Sequence, residues 1–191
     1  MGRKVEFDTD LALESITHEF WKNGFHQTSM TNIESATGVK KASLYGVFGD
    51  KAKMFELSIE KYYLKSSSMN KSRGIDFIYA FFNRLIKDSK SSKSSKGCLI
   101  MNSVLEFSSQ KCDKWQMCFE FLEKIRLRLK EEIEYSIMQK KISCDTDSDS
   151  ISKWLLSQAF MIRELSKFTN DKTYFGPIHI KIKEQLEKIK I

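Results

Sequence analysis

Within twelve residues the chain sets Lys40, Lys41, Ser43, Tyr45 and Lys51. A lysine neutralises a phosphate charge, and a hydroxyl or phenol donates to a phosphate oxygen. Lys41 and Ser43 also have the reach for base edges, though either can stop at the backbone. The same residues make an ordinary solvated helix face, so their types alone leave both readings open. A second chemistry belongs to Cys98, which follows Gly97 at an expected helix start with Lys93 and Lys96 just before it. The positive end of a helix and nearby ammonium groups favour the nucleophilic thiolate. Against this stands the commoner fate of a free cysteine, a small buried apolar side chain. Cys112, Cys118 and Cys144 form no CxxC and have no histidine at metal-ligand spacing, and His18, His26 and His179 are isolated. No paired carboxylates, nucleophile with a base, phosphate loop or metal cluster can be assembled. Neither an enzyme nor a bound cofactor is expected.

The elements that position these residues read as helices. Leu13, Ile16 and Phe20 repeat at the spacing of one helical face, and Asn23-Gly24 ends the run. Thr28 is the expected N-cap of a short helix with Met30, Ile33 and Ala36 inward. Thr37-Gly38-Val39 makes a turn in which Gly38 takes positive φ. Residues 40–47 form a second short helix with Leu44 and Phe48 inward, and Asp50 caps a longer one. Helix, short helix, glycine turn and short helix make a helix-turn-helix arrangement.

Residues 65–74 are polar and serine-rich, an expected connector. Residues 75–87 form an apolar helix, and residues 89–96 a low-complexity Ser/Lys loop. A helix opens at Gly97-Cys98, and residues 113–141 form a long one, about 40 Å at 1.5 Å per residue. The acidic loop 145–149 favours the start of the next helix. Residues 151–168 are apolar on two faces, one for the chain's own core and one for a second copy of the chain. Residues 178–183 alternate like a strand, yet Ile178, Ile182, Leu186 and Ile189 keep helical spacing, and Pro177 suits a first turn. Helix is the expectation there.

One proline and eight glycines among 191 residues also favour helix. Met1 to Asp10 has no apolar core, so a secretory leader is not expected. No stretch approaches the roughly 20 apolar residues of a membrane span. A reduced cytoplasm is the simplest home for four cysteines without a framework. The net charge of +7 suggests a polyanionic partner, but its distribution weakens that inference. Residues 1–64 hold 8 basic against 9 acidic side chains, so the excess lies in residues 65–191.

Across residues 11–63 stand, in order, Phe20, Gly24-Phe25, Thr28-Ser29-Met30, Ile33, Gly38-Val39, Leu44-Tyr45, Phe48 and Lys51. This ordered set resembles the TetR/AcrR family of transcription regulators. The resemblance implies an all-α protein with a three-helix, helix-turn-helix DNA-binding domain (1–64) and a helical effector and dimerisation domain (65–191). It implies a homodimer bound to double-stranded operator DNA through Thr28, Ser29, Lys40, Lys41, Ser43, Tyr45 and Lys51. It further implies a repressor released by a small-molecule or electrophile effector. Family effector domains enclose a pocket, for which Phe77, Phe81, Phe82, Met101, Trp115, Met117 and Met161 are candidates, although plain core is the commoner fate of any one of them. The run from Gly97-Cys98 to Asn102 resembles a stretch in one branch of the family, some of whose members respond to electrophiles or oxidants; Cys98 is the candidate sensor. Two departures concern the operator. Lys40 stands where the family often has serine or threonine, and Gly46-Val47 where histidine or an aromatic is frequent. The alternative to a regulator is a helical protein-interaction module without sequence-specific DNA binding.

Overall fold

The first helix begins where an aspartate satisfies its open amides. Asp8 accepts the backbone N–H groups of Asp10 and Leu11 at 2.9 and 3.0 Å, and α1 runs Thr9–Gln27. The computed structural model describes residues 7–67, 72–91, 96–169 and 171–191. Lys93, residues 1–6 and the middle parts of the expected connector and Ser/Lys loop lie outside the described residues. Of the expected face in α1, Ile16 and Phe20 are buried together with Ala12 and Thr17, while Leu13 is half-buried. Helical geometry breaks at Gly24 (φ 76°, ψ 176°), and one more turn follows it. Only glycine adopts that conformation without strain.

Ser29 caps α2 (Met30–Thr37) in a capping box: its hydroxyl accepts the Asn32 N–H at 3.1 Å, and the Asn32 side chain accepts the Ser29 N–H at 2.8 Å. The cap therefore sits one residue beyond the expected Thr28. Thr28 is buried, and its hydroxyl donates to the Gly24 carbonyl at 2.6 Å. Ile33 is the buried residue of α2, whereas Ala36, expected inward, is exposed. Gly38 takes the expected left-handed conformation (φ 69°) and donates its N–H to the Glu34 carbonyl at 2.9 Å. α3 (Lys41–Phe48) buries Leu44 and Phe48. Asp50 then accepts the Lys53 N–H at 2.8 Å and starts α4 (Lys51–Ser67). α1 packs against α2 and α4.

Contacts divide the chain into two compact units, Met1–Ser68 with Asn102–Cys118, and Met69–Met101 with Phe119–Ile191. In the first, Phe107 follows α6 (Leu99–Glu106) and is buried with its ring centroid 5.6 Å from Phe25 and 5.9 Å from Phe55. Phe20 meets Phe55 edge-on at 5.3 Å. Such ring pairs contribute about 0.5–1.5 kcal/mol beyond the area they bury.

The second unit starts from another positive-φ glycine, Gly74 (φ 65°), ahead of α5 (Ile75–Ser89). The Gly74 N–H donates to the carboxylate of Glu132 on α7 (Asp113–Met138), and the Ile75 N–H donates to Ser136 Oγ at 2.7 Å. Glu132 is fully buried and is ion-paired with Arg73, at 2.9 Å, and with Arg128. A carboxylate removed from water costs several kcal/mol unless paired, and these partners offset that cost. α8 (Ser148–Phe168) begins at Asp147, which accepts the Asp149 and Ser150 N–H groups at 3.1 Å each. Hydrogen bonds from the Ser150 hydroxyl and amide hold the Asp147 carboxyl below the ordinary carboxylate value. A 3-10 turn, Lys172–Tyr174, leads into α9 (Phe175–Glu187).

The ambiguous segment is thus helical, with Ile182 and Leu186 buried; an isolated antiparallel bridge joins Ile142 to Lys190. α5 packs against α8 and α9 over a core that includes Ile78, Phe82, Ile133, Leu155 and Ile162. Among the described residues, no helix is long and apolar enough to cross a membrane.

Candidate nucleic-acid interface

Burial of Leu44 and Phe48, four residues apart, turns one face of α3 inward and leaves Ser43, Tyr45, Gly46 and Val47 exposed. Tyr45 is 46% exposed. Gly46 has nothing within 4 Å of where a Cβ would stand, so packing does not demand glycine there. Lys40 precedes the helix without supplying a side-chain cap, and its side chain is 88% exposed. Its Nζ lies 3.6 Å from Glu34 Oε1. Lys41 is half-buried; its Nζ donates to Thr31 Oγ1 at 2.8 Å and lies 3.9 Å from Glu34 Oε2. Ser29 is exposed at the start of α2, where its hydroxyl serves the capping box.

The structure therefore places Ser29, Lys40, Lys41, Ser43 and Tyr45 on the helix-turn-helix segment, at exposed or half-buried positions. Thr28 lies inside the fold. Lys51 is directed elsewhere: its Nζ stands 4.4 Å from the centroid of Phe25, and Lys114 Nζ stands 5.1 Å from the same ring. Burial pushes the Lys51 ammonium below the ordinary lysine value, and the negative charge of Glu106 opposes that shift.

Glu106 also joins the end of α1 to the rest of the unit. Its Oε2 accepts the Phe25 N–H at 3.0 Å and its Oε1 the His26 N–H at 2.8 Å. Those amides open the turn that follows Gly24, where a helix has donors without helical acceptors. A Cβ at position 24 would stand 2.8 Å from Glu106 Oε2. The turn leads straight into Thr28 and Ser29, so this carboxylate fixes where α2 starts. Nothing in the local sequence singles out Glu106, Thr31 or Glu34. Thr31 and Glu34 share a face of α2 at i, i+3, but their link to the lysines exists only once the Gly38 turn is formed.

The effector candidates are divided. Phe77 and Phe82 are buried in the second unit's core with Phe81 packed against it, its ring 6.4 Å from Phe77 and 5.1 Å from Phe82. Met101, also in the second unit, is half-buried and Met161 is exposed, while Trp115 and Met117 belong to the first unit. Cys98 is free and partly exposed immediately before α6; Cys112 is half-buried, Cys118 buried and Cys144 exposed.

Comparison with known proteins agrees with this arrangement. Residues 12–57 match the model for bacterial regulatory proteins of the tetR family. The chain is 24% identical over 183 residues to the uncharacterized HTH-type transcriptional regulator YezE of Bacillus subtilis, covering 90% of this chain and 92% of that one. It is 26% identical over 119 residues to the HTH-type transcriptional repressor ComR of Escherichia coli, covering 59% and 57% of the two chains. Among solved structures, a cysteine mutant of the TetR-family regulator CifR, complexed with 26-bp operator DNA, superposes with a TM-score of 0.79. The identity is 18%, with coverage of 94% of this chain and 97% of that one.

The Glu106 contact yields a direct expectation. Gly24→Ala puts an L-residue at φ 76° and a methyl group against the carboxylate, and should lower unfolding free energy by about 1–3 kcal/mol. Urea denaturation followed by circular dichroism measures it. An unchanged midpoint would show that the break in α1 carries no structural weight.

Proposed function

We propose that this chain, whose residues 12–57 match the model for bacterial regulatory proteins of the tetR family, is a transcriptional repressor gripping operator DNA with α3. The observation that carries the reading is the outward face of α3, where Ser43 and Tyr45 stand exposed beside Lys40 at the helix start. Lys40 and Lys41 neutralise phosphates, and Ser43 and Tyr45 donate hydrogen bonds at the backbone or base edges. Ser29 brings the start of α2 to the duplex, with Thr28, Lys51 and Glu106 supporting that surface from within. A titration by fluorescence anisotropy against duplexes from the chain's own upstream region tests this. Lys40→Ala should weaken binding to every sequence and flatten the salt dependence by about 0.9 in log–log slope. Tyr45→Phe should weaken operator binding with the melting temperature unchanged. An unaltered slope, or loss of folding in Tyr45→Phe, would remove these side chains from the interface.

The acting species is a homodimer whose two recognition helices enter successive major grooves of a pseudo-palindrome. Support comes from α8 and α9 and the turn before α9, where Met161, Phe168, Tyr174 and Ile180 are each more than half exposed. A second copy covering them would bury more than about 1,000 Å². Sedimentation at micromolar concentration should give twice the mass of the chain. A monomer there would sink the assignment.

Release from the operator in the bacterial cytoplasm is assigned to a small ligand taken up by the second unit, on the support of the contiguous aromatic rings of Phe77, Phe81 and Phe82. Partly exposed Cys98 offers the competing thiol route. With ligand release, a mild electrophile should act alike on operator complexes of wild type and Cys98→Ser. Selective retention of Cys98→Ser on the operator would transfer the switch to the thiol.

A further inference from the structure

The charge at the start of α3 is not left to the lysines alone. Glu34 extends from α2, its carboxylate oxygens 3.6 Å from Lys40 Nζ and 3.9 Å from Lys41 Nζ. Lys41 is tied to the same helix by its hydrogen bond to Thr31. The Glu34 backbone is pinned by the Gly38 N–H at 2.9 Å, so the carboxylate stays with this surface when the turn is formed. Ion pairs this exposed add little to stability. Their consequence lies in the charge the surface shows to a polyanion.

We propose that Glu34 is a specificity-determining residue that holds down the sequence-independent part of DNA affinity by pairing with Lys40 and Lys41. The inference rests on the DNA-binding reading above. A duplex held loosely meets two ammonium groups and one carboxylate at a distance where the three act as a single positive charge. Non-specific binding is almost wholly this electrostatic attraction, so it loses the most. In a seated complex a phosphate oxygen comes within hydrogen-bond distance of each lysine and takes the place of Glu34. The carboxylate then acts against weak, wrong partners more than against the right one, which is how a repulsive element creates discrimination.

Full-length wild type, Glu34→Gln and Glu34→Ala are titrated by anisotropy against two duplexes, each at several salt concentrations. One duplex is of mixed sequence, and the other is the tightest binder selected from a random library. Both variants should bind the mixed duplex about 3- to 8-fold more tightly near 0.1 M salt, with a salt slope steeper by about one unit. The selected duplex should gain less, so the specificity ratio falls. In a Lys40→Ala, Lys41→Ala background, assayed at low salt, Glu34→Gln should give a smaller gain, limited to relief of the carboxylate's direct repulsion of the duplex. Melting temperatures near that of the wild type show that the variants fold. The proposal is overturned if folded Glu34→Gln binds the mixed duplex no better than wild type, or if both duplexes gain equally. It is also overturned if the full gain survives without the lysines. A wild type without salt-dependent duplex binding removes the DNA-binding reading itself, whereas any of the other failures leaves that reading standing.

Discussion

Two amides exposed by a glycine break, and the one carboxylate that accepts them, set the position of the recognition segment. Phe25 and His26 have no helical acceptor because Gly24 has left helical geometry, and Glu106 receives both. The cluster around them follows from that anchor. Phe25, once held, packs on Phe55 and Phe107 and lies under the Lys51 and Lys114 ammonium groups. Thr28 closes the turn by donating to Gly24, and Ser29 is left in place to cap α2. Each step constrains the next, so the start of the helix-turn-helix is dictated by a residue far downstream.

The second unit solves the same problem under a different dielectric. There Gly74 is the positive-φ residue, and Glu132 with Ser136 accepts the open amides of α5. Glu106 keeps part of its side chain in water, with the Lys51 charge nearby. Glu132 is fully buried and carries two guanidinium partners. Burial decides the difference: a carboxylate left near water needs little compensation, whereas one in the interior must be neutralised by charge as well as hydrogen-bonded.

The parts of this design legible in the sequence are the local ones. Ile16 and Phe20, Leu44 and Phe48, and Ile182 and Leu186 lie at helical spacing, and each pair is buried. Gly38, Asp50 and Asp147 act where turn and cap chemistry place them. Thr28 and Ser29 are both good caps, and which one serves depends on where Glu106 leaves the end of α1. Ala36 is apolar enough for a core, but so short a helix buries mainly Ile33. Glu106 and Phe107 fall within the expected effector and dimerisation domain (65–191), yet Glu106 accepts the Phe25 N–H and Phe107 packs on Phe25 and Phe55. Trp115 and Met117 likewise group with the first unit. No periodicity reports contacts between residues 80 apart, because such contacts depend on the path of the whole chain.

Charge makes the same point more sharply. Residues 1–64 carry one more acid than base, a poor balance for holding a polyanion if the sum decided the matter. Placement decides it instead. Asp8 and Asp50 are used as helix caps, where they meet the positive end of the dipole. Asp10 and Glu14 pair with Lys61 and Lys65 between α1 and α4, and Glu56 pairs with Lys53 along α4. Asp10, Glu14 and Glu56 are thus compensated by lysines where they stand, which weakens their field elsewhere, particularly beyond the Debye length of about 8–10 Å. The acid within reach of Lys40 and Lys41 is Glu34. A unit of nearly zero net charge can therefore show a positive surface to DNA while keeping one carboxylate where it restrains that surface most.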